Sequence, residues 1–413
     1  MSMPNRREFL RASVQLGAAS ALAGALPGIS FAAAPGNRPF VVVILRGALD
    51  GLSAVPPYGD PAYRDARGPI AIAPPGDARG ALDLDGFFAL HPAMPLMHER
   101  WAAKELLVVH ATASAYRERS HFDGQNVLEN GGDRPSGSAS GWLNRTLGSL
   151  AGRGVDGLAL GQNVPLILRG PVPVGSWAPS RLPEVEPELI GRLRDLYSND
   201  STLAARLDEA TRMETLADDQ STLGEGMGDA PGNAKAALKA GGAERLKLIA
   251  ETAGRMIGAP QGPRVAVFDA GGWDTHAGEG GSEGQLAARL AGLDQVLDAL
   301  RRGLDGEWSR TAVLVCTEFG RTVQVNGTRG TDHGTGAAAF LLGGAVRGGR
   351  VLADWPGLAE KQRYEGRDLR PTTDLRAVAK GVLRDHLGLA ERALVDVFPG
   401  SDAVKPVRDL IRA

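Results

Sequence analysis

Apolar residues in this chain fall into two kinds of run. Continuous runs rich in branched residues occur at 40–45 (Phe-Val-Val-Val-Ile-Leu), 106–110, 264–268, 312–316 and 338–342. Such runs, bounded by glycine or polar residues, predict strands buried on both faces. Between 268 and 312 the spacing changes to three or four residues, at Leu286, Leu290, Leu293, Leu297, Leu300 and Leu304. That period predicts an amphipathic helix. Strand, helix and strand in this order predict a right-handed crossover joining parallel strands. Helical spacing recurs over 188–212 (Leu189, Leu193, Leu196, Leu203), 244–257 and 375–387. Residues 158–168 read as short strands around Asn163, Val164 and Pro165. Residues 58–80 and 171–187 are rich in proline, glycine or aspartate and read as loop. The Gly/Ala-rich stretch at 221–242 reads as a flexible segment, within a helical insertion spanning about 184–258.

Composition narrows the class. The chain has 413 residues, 56 of them glycine, and a formal charge of −2. It shows neither a basic block for nucleic acid nor a basic amphipathic helix for a membrane surface. Its single cysteine, Cys316, rules out an internal disulfide. The N-terminus carries Asn5-Arg6-Arg7-Glu8-Phe9-Leu10-Arg11, then a weakly apolar stretch, then Ala32-Ala33-Ala34. This pattern predicts a twin-arginine signal over 1–34, export by the Tat translocase, and no stable membrane anchor. Its removal takes away three arginines and one glutamate and moves the formal charge to −4. The expected location is the periplasm or the cell exterior, with 35–413 as a single domain. Folding before export suits a protein that loads a metal in the cytoplasm.

Three polar clusters carry the candidate chemistry: Gly272-Trp273-Asp274-Thr275-His276, Thr317-Glu318-Phe319-Gly320-Arg321 and Gly330-Thr331-Asp332-His333-Gly334. In a parallel sheet, functional groups gather beyond the carboxyl ends of strands. Asp50, Ser120, Asp274 with His276, and Glu318 all follow predicted strands. Asp332 and His333 precede one. Mixed carboxylate and imidazole donors suit Zn²⁺, Mn²⁺ or Fe better than Mg²⁺. Asp50, Asp274, His276, Glu318 and His333, with Asp332 as ligand or orienting group, suffice for one or two divalent ions. Ser120 stands where a helix N-cap would, with Asp123 three residues on, and is also the candidate nucleophile. Arg321, Arg119 and His121 are candidate contacts for an anionic substrate. No dinucleotide or P-loop fingerprint is present.

With Arg119-Ser120-His121-Phe122-Asp123 and the run from Leu45 through Asp50 to Leu52, these clusters resemble the DUF1501 family of Tat-exported bacterial proteins. They occur in that family's order across nearly all of the mature chain. The family is similar in outline to the alkaline phosphatase and sulfatase superfamily. That likeness implies a three-layer α/β/α fold with a mostly parallel central sheet and a two-metal site at the strand ends. It also implies Asp50, Asp274, His276 and His333 as ligands and Ser120 as nucleophile. The superfamily usually has Asp-His where this chain has Glu318-Phe319. The expected activity is metal-dependent hydrolysis of small phosphate or sulfate esters. The alternative is a non-catalytic exported protein that binds a ligand or an envelope protein partner.

Overall fold

A computed structural model describes residues 38–152, 156–179, 187–222 and 242–412, all within one unit, Gly36–Ala413. Its strands are β1 (Phe40–Arg46), β2 (Leu82–Asp83), β3 (Ala89–Leu90), β4 (Leu106–Ala113), β5 (Gly157–Leu160), β6 (Gly175–Trp177), β7 (Val265–Gly271), β8 (Ala312–Thr317), β9 (Ala337–Leu342), β10 (Arg350–Leu352) and β11 (Thr373–Asp374). β2 and β3 form a small hairpin; the rest make a nine-stranded sheet in the order β10-β4-β9-β8-β1-β7-β5-β6, with β11 also on β4. Every pairing in that sheet is parallel except those of β9, which runs antiparallel to both β4 and β8. β1 lies at the centre between β7 and β8, so the predicted strand–helix–strand unit straddles it.

The helices are α1 (Gly51–Ala54), α2 (Tyr63–Arg67), α3 (Pro95–Ala102), α4 (His121–Asn130), α5 (Trp142–Ser149), α6 (Pro187–Tyr197), α7 (Ser201–Thr222), α8 (Gly242–Gly258), α9 (Gln285–Leu304), α10 (Leu375–Asp385) and α11 (Glu391–Val397). Alternation along β1 divides the core into two layers. Val41, Val43 and Leu45 pack with Leu286, Leu290 and Leu297 of α9 and Met256 of α8. Phe40, Val42 and Ile44 pack with Trp142 of α5, Val378 and Val382 of α10 and Leu394 of α11. This is the expected three-layer arrangement. Each such side chain contributes about 1.5–3 kcal/mol by leaving water.

Some elements differ from the sequence reading. The helix expected over 188–212 is two helices, because Asp200 Oδ1 accepts from the backbone of Thr202 (2.9 Å) and Leu203 (3.0 Å) and starts α7 afresh. The second expected strand near 158–168 is a 3₁₀ turn, Leu166–Leu168. The region read as loop at 58–80 holds α2, anchored by buried Tyr63 and Ala66. Pairing with β5 makes a short strand, β6, in the stretch read as irregular. The signal at 1–34 and most of the segment at 221–242 lie outside the described residues. Among the described residues, no helix is long and apolar enough to cross a membrane.

Candidate metal centre

Sheet direction brings the site together. The carboxyl ends of β1, β4, β7 and β8 share one edge. Because β9 runs the other way, its amino end lies there too. Asp332 and His333, which precede β9, therefore meet residues that follow the parallel strands. A backbone bridge between Arg321 and His333 lays the 331–335 segment against the 318–322 segment.

Glycine permits the close approach of these loops. Gly47 has φ of +120°, and a Cβ there would sit 2.6 Å from the backbone nitrogen of Asp274. A Cβ on Gly330 would lie 2.3 Å from the carbonyl oxygen of His276. The glycines of the motifs thus hold the ends of β1, β7 and β9 together.

Three imidazoles converge on Asp274. His333 Nδ1 donates to the carbonyl of Arg119 (2.9 Å), His121 Nδ1 to Glu318 Oε1 (2.8 Å) and His276 Nδ1 to Asp332 Oδ1 (3.2 Å). Carbonyl and carboxylate oxygens accept only, so each neutral ring carries its hydrogen on Nδ1 and a bare lone pair on Nε2. His276 Nε2 and His333 Nε2 are 3.0 Å apart, and lie 3.1 and 3.3 Å from Asp274 Oδ1. His121 Nε2 is buried without a hydrogen-bond partner, 3.4 Å from Asp274 Oδ2. Donor atoms of His121, Asp274 and His333 all lie within 4.8 Å of one another, a group able to hold a metal ion. Anchored Nδ1 and inward Nε2 is how metal-binding histidines are usually oriented.

The surroundings tune these groups. Burial opposes ionisation of Asp274, but its hydrogen bond from Arg321 Nη1 (2.6 Å) outweighs this and lowers its pKa. Burial also opposes ionisation of Glu318, yet donors from His121, Gln125 (3.1 Å) and the Gly47 amide (2.9 Å) hold its pKa below the usual range. The Glu318 bond raises His121, whereas burial lowers His333.

The other sequence-predicted residues fall around this centre. Ser120 is the N-cap residue of α4 by backbone geometry, but its side chain makes no cap bond; the expected capping box does not form. Arg119, just before it, adopts a left-handed backbone (φ 62°). The Arg119 guanidinium is engaged by Asp368 (2.9 Å) and Glu365. Arg321 is fully buried and spent on Asp274 and Thr331. Glu318 orients His121. Asp50 lies apart: it caps α1 and pairs with buried Arg67. Asp274, His276 and His333 remain partly open to solvent.

Sequence reasoning missed Arg67, Glu279, Gln125 and Asp368. Glu279 Oε2 accepts from Thr275 (3.0 Å) and Thr331 (2.6 Å), beneath two of the site loops. Asp368 accepts from Arg119 and Thr335 (2.7 Å). No local motif marks these residues. His121 was expected as a substrate contact; the fold places it among the candidate ligands.

Fold and site together define an α/β protein with a histidine-rich candidate metal centre at one sheet edge. A family described as "Protein of unknown function (DUF1501)" matches residues 38–379, and the chain belongs to that family. No curated protein sequence matches it. Among solved structures, the crystal structure of the phosphonate monoester hydrolase of Agrobacterium radiobacter is similar at 13% identity. That likeness covers 86% of this chain and 74% of the other, with a TM-score of 0.34.

Proposed function

We propose that the protein is an exported metal-dependent hydrolase of phosphate or sulfate esters, acting in the periplasm or outside the cell. One observation carries the reading. Three Nε2 atoms, that of His121 buried, meet the Asp274 carboxylate at the sheet edge, and the residue before His121 is a serine whose side chain is not used in capping its helix. The donor set fits Zn²⁺ or Mn²⁺: two neutral Nε2 lone pairs 3.0 Å apart repel unless a cation lies between them.

A divalent ion held by His121, Asp274, His276 and His333 would supply charge that polarises an ester oxygen and eases loss of a hydroxyl proton. The chain's own residues do the rest. Arg321 fixes Asp274, while Glu318 and Asp332 fix His121 and His276. Ser120 follows the peptide whose carbonyl takes the His333 hydrogen, so nucleophile and site move as one. Ser120 Oγ forms the bond to phosphorus or sulfur as its proton is lost to water. The ester oxygen leaves with the bonding pair, and water then releases the acid.

The test is hydrolysis of aryl phosphates and aryl sulfates by the Zn²⁺- and Mn²⁺-loaded protein beside Ser120→Ala. Turnover lost in the variant, with the metal retained, is the expected result. Equal rates in both would sink it. Donor count favours a second reading. If all four groups ligate, the centre is closed, as in structural sites. The protein would then be a non-catalytic binder of a ligand or envelope partner, inert towards every ester and indifferent to Ser120→Ala.

A further inference from the structure

Asp50 is the sequence-predicted ligand whose surroundings differ most from a metal site. Its Oδ1 accepts from the backbone of Leu52 (3.0 Å) and Ser53 (3.3 Å). Its Oδ2 is met by Arg67 Nη2 and lies 3.2 Å from the Ser53 hydroxyl. Backbone, guanidinium and hydroxyl groups thus meet both oxygens of the carboxylate, with the Ser53 hydroxyl shared with Glu279 Oε1 (3.3 Å). Arg67 Nη2 also lies 2.9 Å from Ser53 Oγ and 3.7 Å from Glu279 Oε1. Arg67 Nη1 donates to the carbonyls of Thr322 (3.1 Å) and Val323 (3.0 Å). The guanidinium is fully buried; oxygens surround its two terminal nitrogens, as they would a hard cation, while its Nε has no hydrogen-bond partner.

The gap between this pair and the histidine cluster is also filled. The Thr331 hydroxyl donates to Glu279 Oε2 and accepts from Arg321 Nε (3.1 Å), and Arg321 closes on Asp274. Glu318 Oε1 already takes three donors, one of them from His121.

We infer that the Arg67 guanidinium takes the place of a second cation at Asp50. The chain then binds one divalent ion, at His121, Asp274, His276 and His333, and not two. This rests on the metal reading above and fixes its stoichiometry.

The test is calorimetric titration of the metal-stripped full chain with Zn²⁺, and separately with Mn²⁺. One ion per chain is expected for the wild type. Asp50→Asn keeps that ion at similar affinity. Glu318→Gln also keeps one ion, bound roughly 10–100-fold more weakly because His121 loses its charged anchor. Two ions per wild-type chain would overturn the inference, as would loss of the ion in an Asp50→Asn variant that melts cooperatively. If Asp50→Asn does not fold, the wild-type end-point decides alone. Failure of the metal reading itself looks different: no ion bound by any of the proteins.

Discussion

His276 Nε2 lies 3.0 Å from His333 Nε2 while each ring's Nδ1 is held by an oxygen that can only accept, Asp332 Oδ1 and the Arg119 carbonyl. The two rings come from opposite directions, one after β7 and one before β9. A pair of lone pairs at that distance is a stored cation preference. Either a proton or a metal ion satisfies it, and Asp274 Oδ1 sits where both rings can share the charge.

Metal should therefore stabilise the fold. At Zn²⁺ a hundredfold above its dissociation constant, linkage adds about 2.7 kcal/mol of unfolding free energy. The thermal midpoint of the wild type should rise by several degrees on adding Zn²⁺ and return with chelator. In a His276→Ala, His333→Ala double variant the increment should vanish. A double variant with an undiminished shift would place the ion elsewhere.

Ser120→Ala should not behave like the loss of a cap. Removing a serine N-cap usually costs about 0.5–2 kcal/mol. The Ser120 side chain makes no cap bond, so the urea midpoint should move by less than about 0.5 kcal/mol equivalent. Hydrolysis, by contrast, should fall by roughly a thousandfold or more, on the scale of removing an activated nucleophile. A large stability loss with rates intact would return Ser120 to a structural role.

The long strands β1, β4, β7, β8 and β9 were legible because they are continuous apolar runs, whereas the short β6, β10 and β11 were not, and the three motif clusters were legible because carboxylates and imidazoles stood among glycines near the ends of those runs. What was hidden depends on direction and burial. Asp332 and His333 join the site because β9 is antiparallel, and no local pattern states a strand's direction. Which nitrogen of His121 faces inward depends on Glu318, 197 positions away. Arg67 sits in a segment read as loop. Its meaning comes from being wholly buried against Asp50, and only the tertiary fold creates that pairing.

Gly47→Ala should damage both fold and site. The residue has φ of +120°, and a Cβ would lie 2.6 Å from the Asp274 amide nitrogen. Backbone strain of this kind costs about 1–3 kcal/mol, and relief would push the Asp274 loop away from the end of β1. Denaturant unfolding should show the loss and calorimetry a weaker ion. Gly292→Ala, inside α9 with nothing within 4 Å of the new methyl, should instead stabilise by about 0.5–1 kcal/mol. Equal effects at the two positions would remove the steric argument.

Glu279 should give the protein a pH-dependent stability that a single substitution removes. Burial, with the Asp50 carboxylate beside it, pushes the Glu279 carboxyl up to about 8 from its ordinary 4.5. The folded state therefore holds a proton that the unfolded chain releases. Stability from this group is fully present below pH 4.5 and is lost as pH rises through about 8, where both states become ionised. Each unit of difference corresponds to about 1.4 kcal/mol. In Glu279→Gln the amide oxygen can keep accepting from Thr275 and Thr331, and its NH₂ faces Asp50 as the protonated acid would. Melting curves from pH 5 to 9 should show the wild type losing stability relative to the variant, with the gap widening towards pH 8 and flat above it. Parallel curves would mean that Glu279 is ionised in the fold, and that Arg67 alone balances two buried carboxylates.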